Sequence, residues 1–221
     1  MERIETDLKS VNKTIQRRVF NTEAHFLIIK KIAGEKWIFD ESNKCIYFDL
    51  LDYFNGSENF VKKGYSLEKG ILLIGGIGTG KTSIMEHFKK YCFYTNNQNT
   101  FRIEESRIIN REFVKNGFVG LEKYSTNPEY TEHGNIIPAV FNLCIDDLAL
   151  EREQEANYGN KIDVMSELIG DRYKLLKKGK FTHATSNLSV DSLREKYKDR
   201  ISDRFKEMFN ILILDGKSRR K

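Results

Sequence analysis

The fold of this chain is decided by one stretch, ILLIGGIGTGKT, which occupies residues 71–82. Its four apolar residues predict a buried strand, and the next eight match the pattern G-x-x-x-x-G-K-[ST] at every fixed position. From Ser83 onwards, apolar residues recur at near-helical spacing, which predicts a helix. A strand, a glycine-rich loop and a helix in this order are the structural context in which the pattern binds phosphate groups.

Each part of the loop has a physical role in holding a phosphate. Glycines let the backbone bend so that successive N–H groups point at one anion, and the helix start adds unpaired donors and positive dipole. Lys81 is expected to supply a positive charge to the β- and γ-phosphates, and the Thr82 hydroxyl to bind Mg²⁺. The predicted nucleotide-binding residues of this stretch are Gly75, Gly76, Ile77, Gly78, Thr79, Gly80, Lys81, Thr82 and Ser83.

An acidic pair follows the third predicted strand, at residues 140–145. Carboxylates at the end of an apolar strand, downstream of a phosphate loop, are typical of the second half of a nucleotide site. We expect Asp146 to hold Mg²⁺, directly or through water, and Asp147 to orient the attacking water. A capping or turn role for Asp147 is the alternative.

Two further candidates come from the last third of the chain. Residues 181–185 predict a strand that ends in Ser186-Asn187, and ligands of parallel α/β sheets gather at such carboxyl ends. Asn187 is therefore expected to hydrogen-bond the γ-phosphate or the water beside it, with an Asx turn as the alternative. Arg200 and Arg204 lie one helical turn apart, either as ordinary surface charge or with one of them reaching a neighbouring subunit as an arginine finger.

The rest of the chain predicts alternating helices and strands. Helices are expected over residues 1–20, 22–32, 107–115, 162–178, 191–198 and 200–209, and further strands over residues 100–103 and 211–214. Residues 116–139 are expected to form a long irregular connection, and residues 151–160 a polar loop over the site. The connection mixes lysines with aromatic residues, which suits single-stranded nucleic acid, but a plain surface insertion is the favoured interpretation.

Composition limits the partners and the compartment. The 221 residues carry a net charge of +5, and residues 194–221 contain ten Lys or Arg against five Asp or Glu. This excess indicates nucleic acid or a nucleotide as partner, or else a solvated basic tail. Three scattered cysteines indicate reduced thiols, and no apolar run approaches a membrane span or a signal core. We therefore expect a cytoplasmic protein without membrane association.

Four segments, GGIGTGKT, CIDDL, HATSNLS and YKDRISDR, stand in a fixed order before a final GKSRR. This order resembles AAA+ ATPases, most closely the DnaC-like helicase loaders and the IstB-like transposition helper ATPases, over about residues 65–221. The resemblance implies that Asn187 is sensor 1, that Arg204 is the arginine finger with Arg200 beside it, and that Arg220 is sensor 2.

These observations predict an α/β fold, a three-layer P-loop NTPase of AAA+ type with a five-stranded parallel sheet. Residues 1–64 are expected to form a small N-terminal helical extension that docks a partner or simply packs beside the main domain. Residues 65–221 are expected to form an ATPase domain without a C-terminal lid.

The expected function is a helicase loader in DNA replication that binds ATP and Mg²⁺. It would assemble on DNA with a replicative helicase, bind single-stranded DNA and form a homo-oligomer when ATP-bound. Hydrolysis of ATP to ADP and phosphate is expected to be slow without the oligomer or DNA. The alternatives are an IstB-like helper that delivers a transposase, and a nucleotide-binding adaptor with little hydrolysis.

Overall fold

The computed structural model of the chain describes residues 21–125, 129–132, 135–138, 141–150, 155–157 and 160–219. The helices are α1 (Thr22–Ala33), α2 (Glu41–Phe54), α3 (Glu58–Lys62), α4 (Lys81–Tyr94), α5 (Ser106–Asn116), α6 (Phe118–Glu122), α7 (Val164–Leu176) and α8 (Val190–Met208). The strands are β1 (Gly70–Gly75), β2 (Phe101–Glu105), β3 (Glu129–Glu132), β4 (Asn135–Pro138), β5 (Asn142–Asp146), β6 (Glu155–Asn157), β7 (Asn160–Ile162), β8 (Thr182–Ser186) and β9 (Phe209–Leu214). Within these ranges, no helix combines the length and the apolar character needed to cross a membrane.

Five strands form one sheet in the order β2–β5–β8–β1–β9, and every neighbouring pair in it is parallel. The predicted five-stranded parallel sheet is therefore confirmed. β1 lies between β8 and β9, with Leu72 aligned to Ala184 on one side and to Ile211 on the other. Because all five strands run the same way, the segments after β1, β5 and β8 meet at one edge of the sheet.

Side chains of β1 alternate between two hydrophobic cores, one on each face of the sheet. Ile71 and Leu73 pack with residues of α1, α2 and α4, whereas Leu72 and Ile74 pack with residues of α5, α7 and α8. Successive residues of a strand point to opposite faces, so an apolar run without alternation is what a strand buried on both sides requires. The predicted three-layer arrangement is therefore confirmed.

The N-terminal helices belong to the core that covers α4. Phe26 and Ile29 of α1, with Tyr47 and Leu50 of α2, are buried in it. The Asp40 side chain caps α2 by accepting from the Asn43 backbone, and Asn43 in turn accepts from the Asp40 N–H. A helical extension is thus present, while its role as a docking module and the boundary at residue 64 stay predictions. The helix expected over residues 1–20 lies outside the described residues.

Three expectations about secondary structure were wrong. The connection over residues 116–139 contains the short helix α6 and the antiparallel pair β3–β4, and the segment at 151–160 contributes β6 to a second antiparallel pair with β7. The two helices expected at 191–198 and 200–209 are one helix, α8. No glycine or proline interrupts that stretch, so a break in the apolar stripe does not break the helix.

Candidate functional site

The glycine-rich loop connects β1 to α4 at the carboxyl edge of the sheet. Gly78 and Gly80 have φ angles of 76° and 98°, which favour glycine, and Gly80 precedes the first residue of α4. The Thr79 hydroxyl donates to the Gly76 carbonyl at 2.9 Å and tightens the turn. Because Gly80 has no side chain to cap α4, the first N–H groups of that helix remain available to an anion.

Lys81 lies in the mouth of this loop and is 4% exposed. Its ammonium donates to the carbonyls of Gly75 and Gly76, at 2.8 and 2.9 Å, and to Oδ1 of Asn187 at 2.5 Å. A cation ringed by oxygen acceptors at the start of a helix is placed where a phosphate group would meet it.

Thr82 and Asp146 lie side by side in the same cleft. The Thr82 hydroxyl lies 2.9 and 3.0 Å from the two Asp146 carboxylate oxygens, and the Thr185 hydroxyl donates to Oδ1 at 2.6 Å. Burial raises the pKa of Asp146, against the effect of these hydrogen bonds. A hydroxyl and a carboxylate with water and phosphate oxygens are the ligand set that Mg²⁺ prefers, so the residues present fit this ion.

Asp147 and Asn187 complete the polar edge. Asp147 has a φ of 54°, and its backbone N–H donates to the Thr185 hydroxyl at 2.9 Å. Its carboxylate lies 3.5 Å from the Asn187 amide nitrogen, at the outer limit of a hydrogen bond. Asn187 therefore bridges the Lys81 ammonium and the Asp147 carboxylate, which is a position from which it could contact a terminal phosphate or a water.

Several of these residues line a cavity of about 180 Å³. It is lined by Trp37, Ile77, Gly78, Gly80, Lys81, Thr82, Ser83, Asp147, Asn187 and Arg219. The structure thus brings together most of the loop residues and candidates from three strand ends that the sequence singled out. Their individual roles stay predictions.

The predicted arginines lie elsewhere or outside the description. Among the described residues that line the cavity, Arg204 is absent; its guanidinium lies over the Tyr173 ring, 5.4 Å from the centroid. Arg200 belongs to α8, but its side chain is outside the described part, as is all of Arg220. Arg204 was predicted to act on a neighbouring subunit, so its distance from its own cleft leaves that role untested.

Sequence reasoning missed two residues of the cleft, Trp37 and Arg219. Trp37 packs so closely on the loop that a Cβ added to Gly80 would lie 2.5 Å from its ring. Arg219 donates from Nε to the Thr79 carbonyl at 2.9 Å. Trp37 is the only tryptophan of the sequence and lies in an aromatic stretch, which could have pointed to it. Arg219 lies one position before the predicted Arg220, and its place in the cleft depends on the path of the chain after β9.

No protein-family model and no curated protein match this sequence, but solved structures do. Domain III of the replication initiation protein DnaA from Thermotoga maritima matches with a TM-score of 0.56 and 19% identity, over 81% of this chain and 65% of that one. AMPPCP-bound DnaA from Aquifex aeolicus matches with a TM-score of 0.53 and 18% identity, over 83% and 50%. The DnaC helicase loader matches with a TM-score of 0.52 and 16% identity, over 81% and 94%.

The fold of this chain is that of AAA+ ATPases. The resemblance inferred from the sequence is therefore confirmed at the level of the fold, with the loader DnaC among the structures that match. The chain spans 65% and 50% of the two DnaA chains, so it is similar to part of each. In this AAA+ fold the cleft described above lies at the carboxyl edge of the central strands, where parallel sheets bind ligands.

Proposed function

We propose that this protein binds ATP with Mg²⁺, hydrolyses it to ADP and phosphate, and uses the nucleotide to load a replicative helicase onto DNA. The observation that carries the proposal is the convergence of Lys81 with the Thr82–Asp146 pair and Asn187 in one cleft. The likeness to the DnaC helicase loader supports the replication role, and the likeness to AMPPCP-bound DnaA supports nucleotide binding.

Each side chain has a defined task in this proposal. Lys81 and the N–H groups at the start of α4 hold the phosphates, while Thr82 and Asp146 hold Mg²⁺. When bound, ATP would supply the phosphoanhydride bond that is cleaved, and Mg²⁺ would offset the negative charge of the phosphate groups. Asp147 orients the attacking water and accepts its proton, and Asn187 fixes the position of that water.

Hydrolysis is proposed to depend on assembly. Arg204 of one copy would reach the cleft of a neighbour, and an arginine supplied from outside is worth about 10³–10⁵ in rate in other NTPases. The isolated chain would then turn over slowly. Arg220 is the proposed sensor 2.

An adaptor with little hydrolysis is the second candidate, and the geometry of Asp147 favours it. The side chain is one methylene shorter than glutamate and is attached to a left-handed backbone position. Its carboxylate lies 3.5 Å from Asn187, which is a loose contact. A single-turnover ATPase assay with DNA present separates the candidates, because an adaptor would bind ATP without releasing phosphate.

The binding step is tested with Lys81→Ala. We expect the variant to lose measurable affinity for Mg-ATP in calorimetry, because the loop carbonyls and Asn187 then have no cation between them and the phosphates. Lys90→Ala is the matched control, since Lys90 is an exposed lysine of the same helix α4. Unchanged ATP affinity in Lys81→Ala would refute the proposed site.

The partners are tested separately. A labelled single strand of oligo-dT should bind with an affinity that falls steeply with salt, because the chain carries a net charge of +5. Anisotropy that shows no binding at low salt, or no dependence on salt, would remove DNA from the proposal. Pull-down of the full chain with the replicative helicase and with a transposase from the same source distinguishes loading from the IstB-like alternative.

A further inference from the structure

Arg219 brings the segment after β9 back onto the phosphate loop. Its backbone N–H donates to the Gly78 carbonyl at 2.8 Å, and its side-chain Nε donates to the Thr79 carbonyl at 2.9 Å. Arg219 therefore lines the same cleft as Lys81 and Thr82. These two hydrogen bonds hold the backbone and Nε of Arg219 against the loop and do not use its terminal nitrogens.

The terminal nitrogens of Arg219 are engaged by the start of α2. One lies 2.5 Å from Oδ2 of Asp40, and the other lies 3.0 Å from Oδ1 and 2.9 Å from the Ser42 hydroxyl. With the Thr79 bond, these contacts use four of the five N–H donors of a guanidinium. The hydrogen bond from Arg219 also holds the pKa of the Asp40 carboxyl well below its usual range. A full negative charge thus neutralises the cation at neutral pH.

We propose that Asp40 competes inside the chain with the phosphates of a bound nucleotide for the terminal nitrogens of Arg219. The inference rests on the proposed nucleotide site. Phosphates carry more charge than one carboxylate and match the same forked geometry, so they are suited to displace Asp40. Asp40 therefore weakens nucleotide binding, and the pair opens when nucleotide enters.

Competition explains the contacts better than positioning does. Gly78 and Thr79 already hold Arg219 at the rim, so Asp40 is not needed to bring it there. Asp40 can also release Arg219 without uncapping α2, because its carboxylate still accepts the Asn43 N–H at 3.1 Å. Its side chain is 42% exposed, so water can replace the guanidinium.

The expected effect follows from the exposure of the pair. Exposed ion pairs change an equilibrium constant by up to about fivefold. We therefore expect Asp40→Asn to lower the Kd for Mg-AMPPCP by about twofold to fivefold, measured by calorimetry on the full chain. Asparagine keeps the oxygen that caps α2 and removes the charge, so the fold is retained. Glu41→Gln is the control, because it removes a neighbouring exposed charge that does not contact Arg219 in the described structure, and its Kd should stay at the wild-type value.

A double-mutant cycle decides whether the effect passes through Arg219. Arg219→Ala should weaken binding, and Asp40→Asn added to it should produce no further change. An Asp40→Asn Kd equal to or higher than that of the wild type, or the same tightening in the Arg219→Ala background, would overturn the inference. These results leave the nucleotide site standing, whereas absence of Mg-AMPPCP binding by the wild-type chain would overturn both proposals.

Discussion

Lowering the pH from about 7.5 to about 5 is expected to remove about 4 kcal/mol from the free energy of unfolding, through two buried histidines. His183 is fully buried on β8 and accepts the Ile71 N–H with Nδ1 at 3.1 Å. Its Nε2 then carries the proton and is buried without a hydrogen-bond partner among the described residues, and the imidazole packs against Phe101 with the ring centroids 4.9 Å apart. Burial, assisted by the charge of Arg172, lowers the pKa of His183 to about 3. Burial, assisted by Lys90, lowers that of His87 to about 4.

The sign and size follow from proton binding in the two states. Below its ordinary pKa of about 6.5, an unfolded histidine binds a proton that the folded protein does not, so stability falls as the pH falls. A pH of about 5 lies about 1.5 pH units below the pKa of an unfolded histidine, and one pH unit corresponds to about 1.36 kcal/mol. Each histidine therefore contributes a loss of about 2 kcal/mol. The loss stops as the pH passes the folded values. Asp146 acts in the opposite direction, because burial raises its pKa and the folded protein then binds this proton more readily than the unfolded chain does.

Urea unfolding followed by circular dichroism at the two pH values measures the effect. His183→Asn keeps an acceptor for the Ile71 N–H but cannot titrate, so it should be less stable than the wild type at pH 7.5 and lose only about half as much on acidification. His87→Asn should remove the other half. A wild-type loss below about 1 kcal/mol, or an unchanged pH dependence in both variants, would refute the reasoning about these histidines.

Two further predictions concern arginines. Arg204→Ala should bind ATP normally but lose assembly-dependent ATP turnover. Lys206→Ala, an exposed control on the same helix, should keep that turnover. Equal turnover by Arg204→Ala and the wild type, under conditions where the wild type oligomerises, would contradict the finger role. Arg172 is 1% exposed and donates to one hydroxyl and three backbone carbonyls, so Arg172→Lys should lower the unfolding free energy by about 3 kcal/mol or more in urea. Lys174→Ala on the same helix should change it by less than about 0.5 kcal/mol, and a similar small change in Arg172→Lys would show that its bonds do not stabilise the fold.

The central part of the fold was predictable because its signals are local. An apolar run, a glycine loop and a helix define the region from β1 to α4 without any long-range information. Asp146 and Asn187 were placed at one edge because parallel strands bring their carboxyl ends together. The hydrogen bonds that Lys81 makes with Asn187 and Thr82 makes with Asp146 were not predicted, and only the proximity of these residues at one edge was.

Other features depend on packing that no local pattern reveals. Trp37 belongs to the cleft only because the segment between α1 and α2 passes beside Gly80. The place of Arg219 in the cleft depends on hydrogen bonds to Gly78 and Thr79, about 140 positions away in the chain.

The alternation of β1 between two cores has a consequence for the accuracy of the cleft. A shift of β1 by one residue would exchange the differently branched side chains that face the two close-packed cores, so the packing of both cores opposes it. The packing of the sheet therefore sets the spacing between Lys81 and Asp146 before any ligand binds.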